Sequence, residues 1–450
     1  MKSRCGYSVL LLTLVSISAS SGLEWKVAVV DGGGAVINAG TSVAIASGDY
    51  PHMSYLSYFS PDDSVGLFYV YWDGDQWHKQ NIFQLWIYFE TQTSLSLDKE
   101  DNPHIAHGWH GGTGALMMYS FWDGADWQHM HIPYLGEAVH NDITVDDFGC
   151  SHIAHIWISD VPCPISPIYS AFGCPQKCGS DVDTVDYMWW GNGHVSLALS
   201  STSSPCLCYN LNNRTDPGLK YAFCVENYIG EKWNIEKVDT VPEAPHTSGT
   251  AISLNLDVSD HPHVSYYDDL HHDLKWARKI GGNWEIGAVD SFADVGSCNS
   301  LVLDDYGFEH ISYYDATHKD LKCAHWNGRS WEIERVDTLG QVGDVNSIAI
   351  DDDGCLHISY YDAMNKFLKY AKSTSTHICS GVKGDVDGNS TIDVIDVVQT
   401  VRHILGIEIL EFCSRVRADC NADGQIDITD VLGIVNVILN VSTCQPTKGN

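Results

Sequence analysis

A chain of 450 residues with 58 acidic against 25 basic side chains, formal charge −33, presents no cationic surface to a phosphate backbone or an anionic bilayer. Nucleic-acid binding through a basic patch is thereby excluded. Apolar residues make up 44% of the chain, with 15 Trp and 22 Tyr, enough to build packed cores and to exclude a disordered polymer.

Residues 1–22 carry Lys2 and Arg4, an apolar run from Val9 to Val15, and small residues at Ala19 and Ser20. That layout predicts a secretory signal peptide, and hence a secreted, extracellular mature chain. No later stretch approaches the roughly 20 apolar residues of a membrane-spanning helix, so no membrane insertion is expected. The chain has 15 cysteines; removing Cys5 with the signal leaves 14, an even number that favours disulfides in an oxidising compartment. Six of them, Cys163, Cys174, Cys178, Cys206, Cys208 and Cys224, crowd a Pro- and Ser-rich stretch that reads as a stapled insertion in preference to a zinc site.

From residue 23 to 372 one unit recurs. Its plainest copies are AISLNLDVSDHPHVSYYDDLHHDLKWARKIGGNWEIGA at 251–288, SLVLDDYGFEHISYYDATHKDLKCAHWNGRSWEIER at 300–335 and SIAIDDDGCLHISYYDAMNKFLKYAK at 347–372. Each holds four short alternating runs separated by turn residues, which predicts four antiparallel strands. Further copies begin near 42, 94, 142 and 195, giving seven; the irregular fourth, with Cys206 where others have His, leaves six or eight open. Four-stranded units at this period predict a β-propeller. The seventh copy lacks its last strand, and the segment Trp25–Asp31 matches the Trp331–Asp337 strand, so the N-terminal strand is expected to close the last blade and remove the open edge.

A polar linker at 373–378 leads to a second domain at 379–446. Two segments offer oxygen ligands with EF-hand spacing: Asp385, Asp387, Asn389, the Thr391 carbonyl, Asp393 and Asp396, then Asp419, Asn421, Asp423, the Gln425 carbonyl, Asp427 and Asp430. A hard cation takes six to eight oxygens, and a 12-residue turn wraps it. Each loop runs into an apolar-periodic stretch, Val394 to Leu405 and Ile428 to Leu439, that predicts a helix. Two such matches 34 residues apart, both closing on Asp, point to two calcium ions. The fold class is therefore mainly β, a seven-bladed propeller plus a small all-α calcium-binding domain.

This duplicated loop–helix layout closely resembles the type I dockerin family. The resemblance implies folding coupled to calcium and binding to the cohesin domain of a scaffold protein. It departs from the family at Ser390, where the turn prefers Gly, and at Val394-Ile395 and Ile428-Thr429, where polar partner contacts are usual. Cys379 with Cys444, and Cys413 with Cys420, are expected as flanking staples. The propeller repeat resembles sialidase-like and fucose-lectin-like propellers in its scaffolding and carries none of their catalytic boxes.

The His that recurs at 52, 104, 152, 263, 310 and 357 reads as a blade element, because site residues break a repeat's symmetry. Symmetry breaks in the second and third copies, where His107, Trp109, His110, His155 and Trp157 replace the Tyr-Tyr-Asp run. Indoles stack on sugar rings and imidazoles serve as acid or base, so these five are the candidate substrate-binding residues, against the plainer reading of two repacked blades. Three functions follow: a polysaccharide-recognition module carried by its dockerin, a glycoside hydrolase or polysaccharide lyase, or a protein-binding propeller. The catalytic residues are not legible.

Overall fold

A computed structural model describes residues 23–444 other than 33–34, 60–63, 86–91, 112–113, 133–136, 159–165, 173–181, 187–192, 212–217, 225–232, 241–251, 306, 374–382, 388–390, 408–409, 411, 422–424, 440 and 442–443. The expected signal peptide and linker lie outside the described residues, except that the last propeller strand, Phe367–Ser373, takes in Ser373. No helix among the described residues is long and apolar enough to cross a membrane.

The repeat folds as expected into seven four-stranded antiparallel sheets, the blades. The first strands of blades 1 to 7 are Ala35–Ala46, Thr93–Leu97, Glu137–Val145, Val195–Leu199, Ile252–Leu256, Val295–Leu303 and Val342–Ile350. The irregular fourth copy is a full blade: Val195–Leu199, Pro205–Leu211, Gly218–Cys224 and Trp233–Asp239. The seventh takes its outer strand from the N-terminus, Trp25–Asp31 pairing antiparallel with Phe367–Ser373.

A closed ring of side-chain hydrogen bonds decides the blade number. In each blade one first-strand oxygen accepts from a backbone amide of the next blade's first strand: Ser42 from Leu95 (3.0 Å), Ser94 from Ile143 (3.3 Å), Asp142 from Leu197 (2.9 Å) and Ser196 from Leu254 (3.0 Å). Ser253 then accepts from Leu301 (3.0 Å), Ser300 from Ile348 (3.3 Å), and Ser347 from Val43 of blade 1 (3.3 Å). The blade 7 to blade 1 seam also shares a core of Val43, Met53, Tyr55, Tyr361, Leu368 and Tyr370.

Because each sheet is covered by a neighbour on both faces, every residue of the Leu356–Asp362 strand is buried although its sequence alternates. Buried polar groups then need partners. In three copies the recurring His finds them inside its own blade: His104 bonds Tyr119 (2.6 Å) and Asp98 (3.4 Å), His152 bonds Tyr169 (2.6 Å) and Asp146 (3.4 Å), and His357 bonds Tyr370 (2.6 Å) and Asp351 (2.8 Å), whereas His263 reaches Glu309 of the next blade (2.8 Å).

A second device latches blade to blade. An Asp that ends an outer strand, or in blade 3 follows it by two residues, accepts from a buried Tyr on the next blade's second strand and from a Lys. Asp290 takes Tyr313 (2.8 Å) and Lys322 (3.1 Å), Asp239 takes Tyr266 and Lys275 (both 2.6 Å), and Asp186 takes Tyr209 (3.2 Å) and Lys220 (3.1 Å). Asp337 takes Tyr360 and Lys369, and Asp31 of the N-terminal strand takes Tyr55 and Lys79.

The C-terminal domain contains helices α1 (Val394–Ile404), α2 (Phe412–Ala418) and α3 (Ile428–Ile438). The first and third lie where the periodicity predicts them. Val386, Leu410, Ala418, Cys420 and Ile434 form its buried core, with Ile392 and Ile426, position 8 of each loop, packed against it. The expected staples are corrected: Cys444 bonds Cys420, Cα to Cα 4.7 Å. α3 comes close enough to that bridge that a Cβ on Gly433 would lie 2.6 Å from the Cys420 sulfur. Cys379 lies outside the described residues. In blade 4, Cys206, Cys208 and Cys224 are thiols, which corrects the expected stapling there, while Cys163, Cys174 and Cys178 lie outside the described residues.

Candidate functional site

The two loops of the C-terminal domain are closed by the same bonds. In the first, Asp396 Oδ1 accepts from the amides of Val386 (2.7 Å) and Asp387 (3.1 Å), and its Oδ2 accepts from the Asp393 amide (2.8 Å). In the second, Asp430 accepts in the same order from Cys420 (2.9 Å), Asn421 (3.2 Å) and Asp427 (2.9 Å). Asp393 and Asp427 are the N-caps of α1 and α3, and each forms a capping box with the Asp three residues on. The position expected to hold the last ligand is thus also the third helical residue, which anchors each loop to its helix. Burial pushes the Asp430 carboxyl above its ordinary pKa, while bonds from the Thr429 hydroxyl and amide lower that of Asp427.

Carboxylate oxygens of Asp385, Asp387 and Asp396 lie within 4.8 Å of one another. Calcium–oxygen bonds of about 2.3–2.6 Å would let one ion touch all three, so the acidic cluster fits that metal. Lys383 crosses between the halves, its ammonium donating to the Asp419 carbonyl at 2.8 Å. Asn389 and Asp423 lie outside the described residues. Exposed apolar side chains repeat on the two helices: Val394 with Ile428, Val398 with Leu432, and Leu405 with Leu439.

In the propeller, the structure brings His107 and His155 to equivalent positions on adjacent blades, as the repeat predicts, and buries both in the seams, 0% and 1% exposed. Each stands where five other blades carry the latch tyrosine. The rest of the latch has changed with it in blade 2: Phe83, its ring 5.4 Å from that of His107, occupies the Asp position and Met118 the Lys position, while His107 Nε2 bonds Ser120 Oγ at 2.8 Å. In blade 3, Ile168 faces His155 across the ladder where Lys would stand. Burial lowers the His107 pKa to about 3 and that of His155 to about 4, so both are neutral at pH 7. Trp109, His110 and Trp157 belong to the same two strands, and their side chains lie outside the described residues.

One contact between blades was missed in the sequence. His140 and His194, each two residues before the ring oxygen of its blade, stack across the seam between blades 3 and 4 with ring centroids 3.6 Å apart. Their matching register in adjacent copies, His140-Asn141-Asp142 and His194-Val195-Ser196, was the available signal.

A closed seven-bladed propeller joined to a duplicated loop–helix acidic module defines a modular docking protein. Residues 383–439 match the family model described as the dockerin type I domain, and the C-terminal region is a type I dockerin domain. Dockerin domains bind calcium, and a dockerin implies a cohesin partner and an extracellular scaffold assembly, with which the disulfide is consistent. No curated protein matches the chain. Among solved structures, the chain is similar to an ulvan lyase of a polysaccharide lyase family (14% identity, 76% of this chain and 94% of that one, TM-score 0.49). Two others are the sialidase NanB of Streptococcus pneumoniae (11%, 74% and 68%, 0.38) and an Aleuria aurantia lectin in complex with a fucosylated sugar (10%, 68% and 98%, 0.42).

Proposed function

We propose that this is a secreted protein acting in polysaccharide recognition or breakdown, docked through its C-terminal module to a cohesin-bearing scaffold. The observation that carries this reading is the pair of identically closed loops, each leading into a capped helix. Two calcium ions would be held, one by Asp385, Asp387, Asn389, the Thr391 carbonyl, Asp393 and Asp396, the other by Asp419, Asn421, Asp423, the Gln425 carbonyl, Asp427 and Asp430. Bound calcium supplies the charge that holds these oxygens together; the chain's part is to anchor each loop to its helix through Asp396 and Asp430. The duplicated apolar residues of α1 and α3 are then the cohesin-facing surface, apolar where dockerins are usually polar.

The glycan role of the propeller rests on the cargo that a dockerin delivers. The domains on this reading are a signal at 1–22, a propeller at 23–372 and a dockerin at 379–446. Two measurements test it. Capture of the full chain on immobilised type I cohesins should require calcium and be lost in EDTA; calcium-independent capture, or none across a cohesin panel, would remove the docking half. Incubation with plant and algal polysaccharides, scored for new reducing ends and unsaturated uronic products, separates an enzyme from a binding module; a chain that neither cleaves nor retains any polysaccharide would be a protein-binding propeller instead.

A further inference from the structure

Near the end of each first strand one residue stands opposite the recurring His of the second strand, as Thr144 stands opposite His152 and Asn255 opposite His263. Blade 4 pairs Ala198 with Cys206 there, the least bulky pair of the seven. The turn that follows is also reduced. In five blades it opens on an Asp that accepts from the amide four residues on, the others being Asp146 in blade 3 and Asp257 in blade 5 among them. Blade 4 has Ser200, which keeps the bond from the Ser204 amide (3.1 Å) but has no second oxygen and no His to serve.

Beside these small residues, where the first strands of blades 3, 4 and 5 end, lies a cavity of about 380 Å³ that opens to solvent, lined by residues 144–147, 197–201, 203 and 254–256. Sites for small molecules span about 300–1,000 Å³. Its walls combine two chemistries. Val145, Leu197, Leu199, Leu254 and Leu256 are aliphatic, while Thr144, Asp147 and Ser203 bring hydroxyls and a carboxylate whose side chains make no hydrogen bond or ion pair among the described residues. The blade 4 turn is pinned in place, Ser201 donating its amide and its hydroxyl to the Asp260 carboxylate of blade 5, both at 2.6 Å. Asp146 is held by the Phe148 and Cys150 amides at 2.9 and 2.8 Å.

No Lys, Arg or His lines the cavity, so an anionic ligand would meet Asp146 and Asp147 with nothing to neutralise it. A metal ion is not served either: among the described residues, three His, Cys or acidic ligands converge only at Asp385, Asp387 and Asp396. An uncharged sugar ring presents what these walls accept, C–H faces for the aliphatic side chains and hydroxyls that donate to a free carboxylate in charge-assisted bonds. We propose that this cavity is a subsite for one uncharged sugar unit, its hydroxyls bonded by Thr144, Asp147 and Ser203. This rests on the glycan reading above and deepens it, placing recognition at the turns of blades 3 to 5 and away from the His and Trp of blades 2 and 3. The same logic that discounts the recurring His favours it, since the cavity lies where one blade departs from the repeat.

The test is calorimetric titration of the calcium-loaded full chain with cellotetraose, xylotetraose and mannotetraose, and with tetragalacturonate as the anionic control. Asp147→Ala removes an exposed carboxylate that bonds nothing in the fold, and Ala198→Leu fills the cavity. At least one neutral oligosaccharide is expected to bind, and tetragalacturonate is not. Asp147→Ala should weaken that binding at least tenfold with an unchanged thermal midpoint, and Ala198→Leu should abolish it. Binding that both variants leave intact, or polysaccharide retained or cleaved equally by parent and variants, would overturn the subsite and keep the glycan reading. Equal binding of tetragalacturonate, or a further equivalent of bound calcium that Asp147→Ala loses, would overturn the subsite as well. No saccharide bound, with no polysaccharide cleaved or retained, would remove both.

Discussion

Replacing Lys322 by Met removes the ammonium that serves two buried carboxylates, Asp290 at 3.1 Å and Asp315 at 2.8 Å, in the seam between blades 5 and 6. Lys322 and Asp290 are 7% and 6% exposed and Asp315 is 0%, so water does not replace the lost partner. Burial pushes the Asp315 carboxyl up, but hydrogen bonds from Lys322 and His318 hold it below its ordinary pKa. Breaking a buried pair by deleting one member costs about 3–5 kcal/mol. With an unfolding entropy of about 2.1 cal/mol/K per residue over about 350 propeller residues, the thermal midpoint should fall by about 4–7 °C. The protein itself contains the control, since blade 2 dispenses with the charges altogether. Lys322→Met combined with Asp290→Phe and Tyr313→His copies Met118, Phe83 and His107, and should recover at least half of the loss. Thermal unfolding followed by tryptophan fluorescence reads both. A Lys322→Met midpoint within about 1 °C of the parent, or a triple variant less stable than the single one, would refute the latch.

Three further outcomes follow. Burial first, with repulsion from Asp362, raises the Asp344 pKa to about 6; an acid whose folded pKa is raised loses stability as pH climbs from about 3.8 to 6, and Asp344→Asn should abolish that decline in unfolding midpoints measured across the window. Asp396→Ala removes a ligand and three amide bonds together, so calcium titration followed by far-UV dichroism should show one equivalent bound in place of two; two equivalents in the variant would contradict the assignment. The Cys420–Cys444 bridge closes a separation of 24 residues, worth about 3.5 kcal/mol of unfolded-chain entropy. Cys420→Ser with Cys444→Ser should therefore raise the calcium concentration needed to fold the dockerin at least tenfold, read by the same dichroism.

Much of this was legible before the fold was known, and for a common reason. The acidic loops are local: the ligands proposed for each fall within 12 consecutive residues, and the hydrogen bonds that Asp396 and Asp430 accept come from their own loops. The ring was legible because a repeat announces its unit, and the strand missing after Lys372 could be matched with Trp25–Asp31. That match extends to Asp31, which latches Tyr55 as Asp337 latches Tyr360.

By itself the sequence thus determined the two-domain plan, the repeat, the borrowed strand and the paired loops, since each is written in short-range pattern or self-similarity. Only the tertiary structure decided three things. It settled the blade number, because the last link of the ring, Ser347 to Val43, joins residues at opposite ends of the chain. It chose the disulfide, because the return of α3, and not spacing, carries Cys444 to Cys420. It also decided what the broken symmetry of blades 2 and 3 means. Alternation separates inside from outside only when one face of a sheet meets water, and a blade is covered on both. His107 and His155 could therefore be recognised as exceptions from sequence, while their place in the seams emerged only when neighbouring blades were packed together.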